Sequence, residues 1–335
     1  MRLGGDTVVE VRVHTDSNGL RKSTCRGSVA GLDVTGRPGG GRGERSGGGF
    51  MSLGVAFKGP EGIVLAADSR VTLNAQIQIP QSAQVPHGPT SVILPATFDN
   101  ATKLLRVESQ NFVGAITYGA GAIGQQEPRT AHSFLPEFEA TLEPKKRLTV
   151  EEFAKKLSKF FLDRWVGAHM PVPVMPGGDM VFLVGGYDKD APYGTIFEFS
   201  IPSKPDPVEA VAPGQFGARW GGQHQIVNRL INGFDPMTPK TARDFLGVAA
   251  PALTPGQFDP LEVELRTKVS SKIPWQFLPL QDLVDLAIFV VRATITLQKW
   301  IVDIRGVGGA IDVATITRIE GFKYIQQKQI IGEAG

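Results

Sequence analysis

Short apolar runs broken by glycine and proline alternate with helix-period stripes along most of the chain. Met51-Ser-Leu-Gly-Val-Ala-Phe-Lys58 and Ile63-Val-Leu-Ala-Ala-Asp-Ser-Arg70 are β-compatible runs, and Gly59-Pro60 and Gly62 between them are turn signals. The pattern predicts a hairpin. Lys103–Val107 and Asn111–Tyr118 read as two further strands, and Gly119–Gly124 as a turn that opens a helix. Ala131, Phe134, Leu135, Phe138 and Leu142 form one apolar helical stripe. Thr149-Val-Glu-Glu152 is a capping-box pattern ahead of a second stripe through Phe153, Leu157, Phe161 and Trp165. Asp179–Tyr187 and Gly194–Ser200 read as strands, and Phe216–Gly222 precedes a helix over about 223–231. Leu283–Trp300 predicts a long helix, apolar on most faces, with Asp285, Arg292 and Lys299 along its polar stripe. Ala310–Arg318 alternates as a half-buried strand.

Two segments interrupt this order. Residues 71–102, with Pro80, Pro86, Pro89 and Pro95, read as a long loop or irregular excursion. Residues 236–276 read as an insertion with a helical piece and several prolines. The remaining sequence of hairpins, helix pairs and strands predicts an α+β fold. It is a four-layer αββα sandwich of two antiparallel sheets flanked by helices.

Composition narrows the function classes. The chain has 335 residues and a net charge of +2, so neither a nucleic acid nor another polyanion is implied as partner. The single Cys25 excludes a disulfide framework and a cysteine zinc site, and fits a reducing cytoplasm. The five His show no metal-ligand spacing, and neither cofactor nor metal is expected. The most apolar window contains Asp285 and Arg292 and is short for a bilayer span, so no membrane segment is expected. Gly119, Gly121 and Gly124 mimic a dinucleotide fingerprint, but no βαβ unit follows.

Residues 1–51 have the composition of a disordered leader, with 13 Gly among the first fifty and a Gly/Arg cluster at 36–49. Three readings stand side by side. The segment is a propeptide, a basic tail, or upstream sequence preceding a true start at Met51. Methionine removal before the small Ser52 would then expose its α-amine. Residues 52–335 form the folded domain.

The predicted hairpin brings Ser52 close to Asp68–Arg70, so that a hydroxyl, a carboxylate and a guanidinium share one sheet end. A serine hydroxyl needs a base to become a nucleophile, and a free N-terminal amine on the same residue can supply it. The bland alternative is equally concrete: Ser52 is inert and Asp68 and Arg70 are a structural pair.

The gap-free stretch from Ser52 to Arg70, with Gly62-Ile-Val-Leu-Ala-Ala-Asp-Ser-Arg70, resembles the start of a mature proteasome β-type subunit, an N-terminal-nucleophile (Ntn) hydrolase. The resemblance runs to about Gly321, interrupted by the two insertions. It implies Ser52 as nucleophile and Asp68 with Lys103 as the charged pair beside it. It also implies Gly119, or Gly121, as oxyanion donor, and Asp303 as a supporting carboxylate, with Arg70 beside Asp68. The family's supporting serines fall at Gly306 or Val307 and near Trp220–Gly222, where this chain has none.

The implied activity is a threonine/serine-type peptidase working through a Ser52 acyl-enzyme. The implied setting is a cytoplasmic homo-oligomeric ring with peptide or unfolded-protein substrate and an ATPase unfoldase as partner. Two other readings stay open. One is a non-catalytic ring subunit. The other is a small-molecule amidase or acyl-transfer enzyme on the same fold.

Overall fold

The computed structural model describes residues 10–15, 21–26, 52–78, 91–172, 178–235, 237–249, 259–302 and 305–332. They fall into two units, 1–47 and 48–335. In the first, β1 (Glu10–Thr15) pairs antiparallel with β2 (Arg21–Arg26), from Glu10 opposite Arg26 to Thr15 opposite Arg21. The glycine-rich composition gave no sign of this ladder. Its signal is the alternation of Val11 and Val13 with Glu10, Arg12 and His14.

In the second unit, β3 (Leu53–Lys58) and β4 (Ile63–Asp68) form the expected hairpin, with Lys58 opposite Ile63 and Gly54 opposite Ala67. They are central in a five-stranded antiparallel sheet. Its order is β12 (Gly217–Gly222), β3, β4, β13 (Ile311–Thr317), β14 (Gly321–Gln326). The second five-stranded sheet has the order β11 (Lys204–Glu209), β10 (Thr195–Ile201), β9 (Met180–Gly186), β8 (Val113–Gly119), β7 (Leu104–Arg106).

Three apolar layers separate four layers of structure. Between the sheets, Ala56, Ile63, Leu65 and Ile316 pack against Ile116, Leu183 and Ile196. Outside the second sheet, α1 (Leu135–Glu139) and α2 (Val150–Gly167) bury Phe138, Phe153 and Phe161 against Phe182 and Phe199. Outside the first sheet, α3 (Gln225–Ile231) and α6 (Leu280–Gln298) bury Val227, Ala287 and Val291 against Leu53, Val55 and Phe57. Each such fully buried large side chain contributes roughly 1.5–3 kcal/mol. Strand β3 therefore alternates between two cores: its odd positions face α6 and its even positions face the other sheet. This is the αββα sandwich.

The capping box forms: the Glu152 backbone N–H donates to Thr149 Oγ1 at 3.1 Å, and the Thr149 N–H donates to Glu152 Oε2 at 3.0 Å. Helix α6 keeps Leu283, Ala287, Val291, Thr294 and Gln298 on its buried face.

Three local expectations are corrected. Where an irregular loop was expected, residues 71–78 and 91–98 form a ladder: β5 (Val71–Gln78) pairs with β6 (Ser91–Phe98) in full register, Val71 opposite Phe98 and Gln78 opposite Ser91. Gly119 does not open a helix, because an irregular stretch and an Ile123–Arg129 bridge come first. The expected helix over 131–142 is a 3₁₀ turn (Ala131–Phe134) followed by the five residues of α1. The 236–276 segment holds two helices, α4 (Met237–Ala249) and α5 (Asp259–Val269). Among the described residues no helix is long and apolar enough to cross a membrane.

Candidate active site

The hairpin register sets the site. With Gly54 paired to Ala67, the next positions out are Leu53 and Asp68, and the Leu53 N–H donates to Asp68 Oδ1 at 2.9 Å. Ser52 is one residue beyond the strand and buried. Its carbonyl accepts from the Gln223 N–H at 2.8 Å, in the turn after β12. Gly222 in that turn has φ +90°, and a Cβ there would lie 1.9 Å from the Ser52 carbonyl oxygen. The chain can pass this close to the nucleophile candidate because the position has no side chain.

Asp68 organises the surroundings. Oδ1 accepts from Lys103 Nζ at 2.6 Å as well as from Leu53. Oδ2 accepts from the Arg70 N–H at 3.1 Å and the Gly308 N–H at 2.9 Å. Both side chains are almost wholly buried, so this is a charge-assisted pair shielded from solvent. Burial pushes the Lys103 ammonium below the usual lysine range, and Asp68 opposes that shift.

Gly119 closes the other side. At the end of β8 its N–H donates to Ser52 Oγ at 3.1 Å, across the gap between the two sheets. Its φ is +88°, and a Cβ would fall 2.1 Å from the Asp179 carbonyl oxygen. That carbonyl accepts from Ala120 at 2.8 Å and fixes the turn.

Ser52, Lys103 and Gly119 line one pocket with Thr117, Gly121 and Thr130, a narrow cavity of about 20 Å³. The Thr117 hydroxyl is buried and makes no hydrogen bond among the described residues. Gly121 therefore lies in the pocket wall, while Gly119 makes the contact to Ser52.

The Arg70 side chain points elsewhere. Nε and Nη2 donate to the two Asp99 oxygens at 2.5 and 2.8 Å, and Nη1 donates to the Arg305 carbonyl at 2.8 Å. The Arg70 hydrogen bond holds the Asp99 carboxyl below its ordinary range. Arg70 thus ties the β4 end to the β6 end and to the loop before β13, while its backbone N–H serves Asp68. Asp303 lies outside the described residues.

The structure brings Ser52, Asp68, Lys103 and Gly119 together. It adds residues that the sequence did not single out: Gln223 and Gly308 through their backbone N–H groups, Asp99 through Arg70, and Gln298. The signal for Gln298 was a polar residue at a core register position, in the series Ala287, Val291, Thr294, Gln298.

Neither a protein-family model nor a curated protein matches this chain. Among solved structures, an Anbu (Gly-1) mutant from Hyphomicrobium sp. strain MC1 matches at 15% identity with a TM-score of 0.44. The match covers 83% of this chain and 86% of that one.

Proposed function

We propose that this chain is an N-terminal-serine amidohydrolase of the proteasome-like class, cleaving peptide or related amide bonds through a Ser52 acyl-enzyme. The observation that supports it best is the placement of Ser52 Oγ against the Gly119 N–H in a pocket that also holds the Lys103–Asp68 pair.

The chemistry requires Ser52 to carry a free α-amine, exposed by removal of Met51 or of a longer leader. That amine has a reference pKa of roughly 7.7–8.0, so a useful fraction is neutral near pH 7. It takes the Oγ proton, directly or through a water, as Oγ bonds to the substrate carbonyl carbon. The carbonyl oxygen becomes an oxyanion and accepts from the Gly119 N–H. Lys103, held by Asp68, places positive charge beside the forming alkoxide. The α-ammonium then gives its proton to the departing amine, and an ester remains on Ser52. Water, deprotonated by the same α-amine, breaks that ester and restores the hydroxyl.

The narrow pocket favours a second reading, a small-molecule amidase or acyl-transfer enzyme with the same nucleophile. A homo-oligomeric ring, an ATPase unfoldase partner and a cytoplasmic setting belong to the proposal on the strength of the resemblance. Covalent labelling by a β-lactone or vinyl-sulfone probe, abolished in Ser52→Ala, is the expected result. Labelling that survives Ser52→Ala, or none in protein that begins at Ser52, would overturn the proposal. A labelled protein that ignores peptides but hydrolyses small amides would establish the second reading.

A further inference from the structure

We propose that Gln298 is a positioning residue that locks the Ser52 carbonyl and the Asp68 carboxylate into one frame through a single side-chain amide. The inference rests on Ser52 being the nucleophile.

Gln298 is the last residue of α6, and its side chain is buried. Oε1 accepts from the Val307 N–H at 3.0 Å. A backbone N–H can only donate, so this contact fixes which end of the amide is oxygen. The other end, Nε2, donates to Gln223 Oε1.

Each partner is one step from the site. The residue after Val307 is Gly308, whose N–H donates to Asp68 Oδ2 at 2.9 Å. Gln223 itself donates its backbone N–H to the Ser52 carbonyl at 2.8 Å. One planar amide thus spans the loop that holds Asp68 and the turn that holds Ser52. The two segments are distant in sequence, and α6 packs on both hairpin strands through Leu53, Val55, Val64 and Ala66. A buried amide carries out a bridging duty that needs one donor and one acceptor on a rigid group. A nonpolar side chain of the same length would leave the Val307 N–H and the Gln223 carboxamide without these partners.

The test compares probe-labelling kinetics at Ser52 in the full chain. Gln298→Met keeps length and volume but removes both contacts. Its maximal labelling rate is expected to fall about tenfold or more, with the probe's initial binding constant unchanged, because small displacements of a nucleophile are costly. Gln298→Glu keeps an acceptor for Val307 and can accept from a turned Gln223 amide, so it is expected to recover most of that rate. Thr149→Ala, which removes the distant α2 cap, is expected to label like the wild type, separating stability loss from positioning. If Gln298→Met does not fold, Gln223→Met carries the same expectation from the other end of the bridge. Labelling of Gln298→Met at the wild-type rate would overturn the inference, as would Glu and Met variants that are equally slow. A wild-type protein beginning at Ser52 that does not label at all would overturn the nucleophile itself, and the inference with it.

Discussion

Lys103 Nζ and Asp68 Oδ1 are 2.6 Å apart, and both side chains are almost wholly buried. A buried pair is a poor source of net stability, yet removing one member strands the other. Lys103→Met leaves Asp68 with its three backbone donors but without its charged hydrogen-bond partner. The variant is expected to lose roughly 3 kcal/mol in denaturant unfolding and to lose probe labelling. Full stability with no labelling would assign Lys103 to catalysis alone. Normal labelling would remove it from the site.

The same pair has a pH signature. Burial lowers the Lys103 pKa in the folded state, with Asp68 opposing, while the unfolded chain keeps the ordinary value near about 10.4. Between the lowered folded value and the unfolded one, the unfolded state binds more protons, so stability must rise with pH across that window. The wild type is therefore expected to gain on Lys103→Met as the solution becomes alkaline, and to hold a constant difference below the window. Unfolding midpoints of the two proteins in a pH series measure this directly.

Gly119 has no tolerance for a side chain. An alanine Cβ would stand 2.1 Å from a backbone carbonyl at φ +88°, so the turn that aims the N–H at Ser52 must move. Gly119→Ala is expected to cost at least about 2 kcal/mol and to label far more slowly than its stability loss accounts for. The labelling rate of the folded fraction, measured well below its Tm, is the check.

Thr117 Oγ1 is buried in the pocket wall with no hydrogen-bond partner among the described residues. Replacing an unsatisfied hydroxyl by a methyl of the same shape removes a desolvation cost, so Thr117→Val is expected to be neutral or stabilising by up to about 1 kcal/mol. It is also expected to shift probe preference toward apolar groups over hydroxyl-bearing ones. Paired unfolding curves and a small probe panel test both halves.

The site was most legible where it rests on one local hairpin. Apolar runs on either side of Gly59–Gly62 specify the β3–β4 register, and that register puts Leu53 beside Asp68. Strands with proline were harder to see. Pro95 sits within β6, and Pro205 and Pro207 within β11. The β5–β6 ladder is two-stranded and β11 is a sheet edge, so each proline can face away from a partner that needs its missing N–H. In β5, Val71, Leu73, Ala75 and Ile77 alternate with polar residues, a signal that the nearby prolines obscured. Pro136 in the first turn of α1 marks where that helix begins, later than the apolar stripe alone suggests. The Gln223–Gln298 bridge was least legible, because its two residues are joined by tertiary packing and by no local pattern.

The free amine on Ser52 is tested most directly by the N-terminus of the protein made in its own cells. Intact-mass and N-terminal peptide analysis, with and without a β-lactone probe, is expected to show a chain that begins at Ser52 and carries the adduct on that residue. A chain that keeps Met51 or anything upstream as a permanent extension, and takes up no probe, would contradict it.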